Sequence, residues 1–365
     1  MGSAPVDVSI VTSGHDVADA RLHRLAAALC RRGLAVEVLG LGDAADAPTG
    51  TTATVRPRGR VTSRPRTALV HAARARGRVL VALDPDALLA ARLLAPLRRR
   101  RVVADVHEDY RALLRDRDWA TGALGRAAAV LVRAATRAAR TADLVLVADE
   151  HVPPLEARRR VVVRNLPDPA MLPDPGEPDP DPRALYVGDA RASRGLLAML
   201  EAVADAPGWT LDIVGPIAPR DEEAVAHWLA RPGMAGRVRL HGRQPPERAW
   251  TLARGAWCGL ALLADTPAFR EAVPSKLYEY LGCGLPVVVT DLARQAALVR
   301  GAAVGEVVPA GPGAGAAAGA VLARWAEDPQ AWARAREAAV RWRAERVEAD
   351  PYAGAAADVE ALLRG

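Results

Sequence analysis

Short apolar runs alternate with amphipathic stretches along the whole chain. Val6–Val11 (VDVSIV), Ala35–Leu41 (AVEVLGL), Val79–Leu83 (VLVAL), Arg101–Val106 (RVVADV), Asp143–Val147 (DLVLV) and Arg160–Arg164 (RVVVR) read as buried strands. They are short, rich in valine and bounded by turn residues. The segments between them have helical spacing. Asp19–Arg32 places Leu22, Leu25, Ala26 and Leu29 on one face and stops at Gly33, and Thr67–Arg76, Ala87–Arg99 and Gly122–Thr141 are further helices. Strand–helix–strand alternation calls for parallel sheets.

Asn165–Arg183 (NLPDPAMLPDPGEPDPDPR) is crowded with proline and aspartate and reads as a crossing followed by an extended connector. The alternation then resumes. Strands are expected at Ala184–Val187, Trp209–Val214, Val238–Gly242, Gly259–Leu263, Pro286–Thr290 and Val304–Val308, with three helical segments closing the chain. The fold class is therefore α/β, with two doubly wound Rossmann-like domains facing a central cleft. The expected boundaries are 1–167, a linker at 168–183, a second domain at 184–345, and a last helix at 346–365 that is a candidate to cross back to the first domain.

Composition changes this picture little. Half of the 365 residues are apolar, a quarter are charged, and the net charge is +6. Arginine clusters at Arg56–Arg66 and Arg98–Arg101 lack interleaved aromatics, so nucleic acid is not an expected partner. No leader and no uninterrupted run of about 18 apolar residues is visible, so a cytoplasmic protein is expected, with membrane contact at most peripheral. Cys30, Cys258 and Cys283 are scattered and form no CxxC pair, and no zinc-ligand spacing is present.

One stretch stands out, Thr266–Thr290 (TPAFREAVPSKLYEYLGCGLPVVVT). It holds the chain's only lysine, Lys276, and its only phenylalanine, Phe269. A lysine retained in an arginine-rich chain points to a need for a compact ammonium. Ser275 suits the N-cap of a helix that Gly282 and Gly284 end. A helix start offers free N–H groups and a positive dipole end, a ready anion site. Glu271 and Glu279 have seven residues between them.

With these residues in register, the chain resembles the retaining glycosyltransferases of the GT-B fold, family 4 (group 1). Glu271 with PSKLYEYLGCGLPVVVT carries the likeness most specifically; VDVSIVTSGHDVADARLHRLAAAL, ADVHEDY, VVVRNLPD and LYVGDARASRGL extend it over nearly the whole chain. The resemblance implies transfer of a sugar from a nucleoside-diphosphate sugar to an acceptor hydroxyl, with retention, without metal and without a cofactor. It implies that His107, Arg194, Lys276 and Glu271 are catalytic. Lys276 and Arg194 would grip the diphosphate, and His107 and Glu271 would reach the donor sugar. Arg191, Val273, Pro274, Ser275, Leu277, Glu279, Gly188 and Gly215 would bind the donor, with Glu279 accepting from the ribose hydroxyls. Gly14 and His15 would lie on the acceptor side, where the family commonly has Gly-Gly; Asp19 and Arg21 follow them as further candidates to line that side. Asp189 stands where a basic residue is usual, which moves the second cation to Arg191. The acceptor is an unknown saccharide, lipid-linked compound or small natural product. Two other readings share this layout: a nucleotide-sugar 2-epimerase, and a non-catalytic sugar-nucleotide-binding subunit. A basic DNA-binding protein rests on the arginine clusters alone.

Overall fold

The computed structural model describes residues 5–115, 120–267, 269, 270, 272–346, 350 and 352–364. The chain divides into two compact units, Met1–Asn165 with Asp350–Gly365, and Leu166–Ala349.

The first unit contains β1 (Val8–Asp16), α1 (Ala20–Arg31), β2 (Val36–Leu41), β3 (Thr52–Arg56), α2 (Arg64–Arg74), β4 (Val79–Ala82) and α3 (Pro85–Leu94). It continues with β5 (Arg101–Val106), α4 (Tyr110–Leu114), α5 (Gly122–Arg140), β6 (Leu144–Val147) and β7 (Arg160–Val162). The seven strands are ordered β3-β2-β1-β4-β5-β6-β7, and every pairing is parallel. Alternate residues enter opposite layers. Val8, Ile10, Val79 and Val81 pack with Leu22, Leu25 and Leu29 of α1, whereas Val11, Leu80 and Ala82 pack with Ala87 and Leu88 of α3. Each buried Val or Leu contributes about 1.5–3 kcal/mol, so burial on both faces fixes the register.

The second unit contains β8 (Arg183–Val187), α6 (Leu196–Ala204), β9 (Thr210–Val214), α7 (Glu222–Leu229), β10 (Val238–Gly242), α8 (Pro246–Thr251) and β11 (Cys258–Ala261). It ends with α9 (Ser275–Gly282), β12 (Val287–Thr290), α10 (Ala293–Ala302), β13 (Gly305–Val308), α11 (Ala314–Glu327) and α12 (Pro329–Arg346). The strand order is β10-β9-β8-β11-β12-β13, again parallel throughout. The last helix, α13 (Ala353–Arg364), belongs to the first unit, where Tyr352, Ala356 and Val359 join the layer of α1.

The proline-rich segment before β8 packs along the second unit. Asp179 accepts from Arg183 Nε at 2.7 Å, its N–H bonds Gly255 O at 2.8 Å, and its carbonyl receives Trp257 Nε1 at 2.8 Å. Two local features differ from the sequence expectation. Thr52–Arg56 is a strand on the sheet edge; it is short, polar and partly exposed, so it carries no apolar run. The helix α9 begins at Ser275 with Pro274 as its cap, at φ −66° and ψ 138°, so Ser275 is the first helical residue and not the cap. The ring of Pro274 presets the backbone entry that a capping hydroxyl would otherwise fix.

Strand order reverses between β1 and β4 in one sheet and between β8 and β11 in the other. Crevices beyond the carboxyl ends of strands at such points are where open α/β sheets bind ligands.

Candidate active site

In the second unit, β8 leads into Gly188, Asp189, Ala190 and Arg191, then a short turn over Ala192–Arg194, and α6. Gly188 has φ +127°, and a Cβ there would come within 3.1 Å of Lys276 Nζ. Gly215, after β9, has φ +143°, and a Cβ there would fall 2.0 Å from Gly188 O. The two strand ends thus approach each other through backbone alone, as only glycine permits.

Lys276 reaches this crevice from the first turn of α9. It is only 7% exposed, and Nζ lies 3.7 Å from the centre of the Tyr186 ring. Among the described residues Nζ has no hydrogen-bond partner. Burial, and then the charge of Arg194, push its pKa well below the usual lysine value. A buried cation without a bonded anion is costly, so the pocket is suited to a negatively charged ligand.

Other cations surround it. Arg191 Nη2 lies 2.9 Å from Asp189 Oδ2, and Arg243 Nη2 lies 3.5 Å from Asp189 Oδ1. Tyr186 OH donates to the carbonyl of Asp189 at 2.7 Å. Asp189 is therefore a resident counter-ion inside a cationic loop. Glu279, one turn beyond Lys276, is buried on the same unit. Leu277 differs from its expected role: its side chain is in the core with Tyr280 and Leu281, and its N–H bonds Pro274 O at 2.9 Å. Val273, Pro274 and Ser275 are half-buried ahead of the helix. Glu271 lies outside the described residues. Phe269 packs with Leu263 and Leu292.

In the first unit, Asp84 closes the reversal point. Its carboxylate accepts from Thr12 Oγ1 (2.7 Å), Ser13 N (2.7 Å), Ser13 Oγ (2.8 Å), Gly14 N (3.1 Å) and Ala87 N (2.9 Å). Burial opposes its ionisation, but Arg64, His15 and these donors hold its pKa below the ordinary carboxylate value. Asp86 behaves in the opposite way. Burial and the charge of Asp84 push its pKa up to about 6.

The Gly14 loop also carries His15, whose Nδ1 lies 3.2 Å from Asp19 Oδ2 and whose ring centre is 5.0 Å from that of His107. Burial pulls the His15 pKa down, but the hydrogen bond and charge of Asp19 leave it raised. His15, Asp19 and His107 bring one possible ligand atom each within 4.8 Å of one another, donors that suit a transition metal as well as a sugar hydroxyl. Asp19 also caps α1 through Oδ1, accepting from Arg21 N and Leu22 N. Gly14 has Arg64 packed on it and gives its carbonyl to Arg58 Nη1 at 3.2 Å.

His107 follows β5, with Nε2 3.1 Å from Asp105 Oδ2. Arg21 turns inward: it is 4% exposed and holds Asp105 at 2.6–3.1 Å. The structure thus assembles Gly188, Arg191, Arg194, Gly215, Lys276 and Glu279 in one unit, and Gly14, His15 and His107 in the other. Sequence reasoning passed over Asp84, Asp105 and Tyr186. For Asp105 a signal existed, a charge inside the otherwise apolar run RVVADV. Tyr186 gave none, since an aromatic within a strand reads as core.

No helix among the described residues is long and apolar enough to cross a membrane. The model of the family described as glycosyl transferases group 1 matches residues 169–342. No curated protein sequence matches the chain. Solved structures share its fold along nearly the full length. Sucrose-phosphate synthase from Thermosynechococcus elongatus aligns at 16% identity and TM-score 0.69, covering 98% of both chains. Anabaena HepE, in complex with UDP and glucose, aligns at 16% identity and TM-score 0.69, covering 98% of this chain and 99% of that one. WaaG, a glycosyltransferase involved in lipopolysaccharide biosynthesis, aligns at 18% identity and TM-score 0.63, covering 96% and 99%.

Proposed function

We propose that the chain is a glycosyltransferase of group 1, the family whose model matches its second unit, and that it transfers a sugar from a nucleoside-diphosphate sugar to an acceptor hydroxyl, with retention of configuration and without a metal ion. The observation that carries this is the unpartnered, buried Lys276 ammonium at the reversal point of the second sheet. A diphosphate there supplies the missing anion. Arg194 and Arg191 add charge, and the amides at the start of α9 add donors aligned with the helix dipole. Glu279 accepts from the ribose hydroxyls, since an ionised carboxylate can hold two neighbouring donors. That HepE was solved with UDP and glucose supports a nucleotide-sugar donor for this chain.

The chemistry follows from charge. Bond breaking leaves negative charge on the diphosphate, and Lys276 and Arg194 stabilise it more strongly in the transition state than in the ground state. The departing phosphate oxygen takes the proton of the acceptor hydroxyl on the same face of the sugar. His107 positions the sugar through its ring and backbone, while the Gly14–His15 loop borders the acceptor. No cofactor takes part in these steps.

A thermal-shift panel of nucleoside diphosphates and their sugars tests the donor class, because a specific ligand stabilises by mass action. One or two members of the panel should raise Tm by several degrees, and a flat panel would retire the reading. Lys276→Ala should then lower turnover by several orders of magnitude, with the fold intact.

A further inference from the structure

A buried carboxylate, Asp105, stands beside His107. Asp105 lies in β5 and His107 directly follows the strand, two residues on, where the alternation of side chains brings both to one side. Asp105 Oδ2 lies 3.1 Å from His107 Nε2. Arg21 grips the same carboxylate, Nη2 to Oδ1 at 2.6 Å and Nε to both oxygens at 3.0 and 3.1 Å. Nη1 of Arg21 donates to Val163 O at 2.8 Å and to Asn165 Oδ1 at 2.7 Å, and lies 3.5 Å from Tyr352 OH. Tyr352 OH is in turn 3.3 Å from Asn165 Oδ1. Asn165 is the last residue before the chain leaves the first unit, and Tyr352 follows its return at Asp350. One guanidinium therefore ties both passages of the chain to the residue behind His107.

We propose that Asp105 is a positioning residue for His107, locked by Arg21, and that the Asn165 and Tyr352 anchors of Arg21 link the two chain passages to the orientation of that imidazole. The proposal rests on the role given to His107 above. An ionised carboxylate accepts only, so Asp105 requires the hydrogen of neutral His107 to sit on Nε2. Nδ1 is then left as an acceptor, the form able to receive a sugar hydroxyl. The Arg21 guanidinium, bonded to both oxygens of Asp105, holds that carboxyl in its ionised, accepting form. The arrangement matches the way a carboxylate fixes the tautomer of a working histidine elsewhere.

The test uses the full chain and the nucleoside-diphosphate sugar giving the largest thermal shift, with release of nucleoside diphosphate to water as turnover. Asp105→Asn should lower kcat by about 100-fold with donor KM changed less than about 3-fold, as expected for lost orientation. Ring 15N NMR should show His107 as the Nε2–H form in the parent and not in the variant. The double variant Arg21→Leu/Asp105→Leu removes both buried charges together and leaves neither orphaned. It guards against a misfolded single variant and should show the same loss. Asn165→Leu should lower kcat several-fold and leave nucleoside-diphosphate binding unchanged. Parent-like kcat and ring spectra in Asp105→Asn and in the double variant would overturn the proposal. His107→Ala separates the two layers. If it is inactive while Asp105→Asn is silent, only the positioning role falls; if His107→Ala turns over normally, the role of His107 falls and the positioning role with it.

Discussion

The Lys276 ammonium sits over the ring of Tyr186, 3.7 Å from its centre, in place of a carboxylate partner. The ring face offers a cation partial compensation, worth roughly 0.5–2 kcal/mol, less than a bonded anion would give. Burial first and Arg194 second push its pKa down, so the neutral amine is favoured more than in an exposed lysine. A bound diphosphate reverses that balance. Nucleoside-diphosphate binding at alkaline pH is therefore expected to take up protons. Titration calorimetry in buffers of different ionisation enthalpy checks this: the observed enthalpy should vary with the buffer, and should not in Lys276→Met.

The same burial sets function against stability. Lys276→Met replaces a buried, unpartnered amine with an apolar side chain of similar length. The free variant is expected to be more stable by about 1–2 kcal/mol, or a Tm roughly 2–8 °C higher. Thermal melts without ligand measure it, and an unchanged or lower Tm would show that the ammonium is satisfied in the free protein.

Asp189 competes for the cations that the diphosphate needs. It bridges Arg191 and Arg243 at 2.9 and 3.5 Å. Asp189→Asn keeps the size and removes the charge, so nucleoside-diphosphate affinity should rise by about 3–10-fold at low salt and less at high salt. Weaker binding in the variant would instead make Asp189 an organiser of the two arginines.

Asp86 gives a pH signature in the first unit. Its native pKa of about 6 exceeds the ordinary value of 3.8, so the native state favours the proton. The penalty is absent below about pH 3.8, grows as pH rises towards 6, and is constant above it. Every tenfold change in proton affinity between the native and unfolded chains is about 1.4 kcal/mol. That figure is discounted here, because Asp86 is partly exposed and faces Arg64 at 3.8 Å. Asp86→Asn is expected to stabilise by about 1 kcal/mol at pH 7.5 and by nothing near pH 4. Denaturant midpoints at the two pH values decide it.

Much of this was legible in the sequence because α/β strands are buried on both faces and so appear as unbroken valine-rich runs. Lys276 stood out for being alone, and the glycines near it for the turns they permit. The cap of α9 was misread because a hydroxyl before a helix signals capping, whereas here Pro274 presets the backbone angles. The edge strand Thr52–Arg56 was missed because a partly exposed strand needs no apolar run. Asp84 and Asp105 are defined by partners at Thr12–Gly14 and Arg21, about 70 to 84 positions away, and no local pattern encodes such pairings.

The most direct measurement compares nucleoside-diphosphate binding by titration calorimetry in the parent protein and in Lys276→Met, with the uncharged nucleoside as control. If Lys276 grips the diphosphate, the variant should bind the diphosphate about 100-fold more weakly, roughly 2.7 kcal/mol, while nucleoside affinity is unchanged. Equal diphosphate affinity in the two proteins would contradict that role.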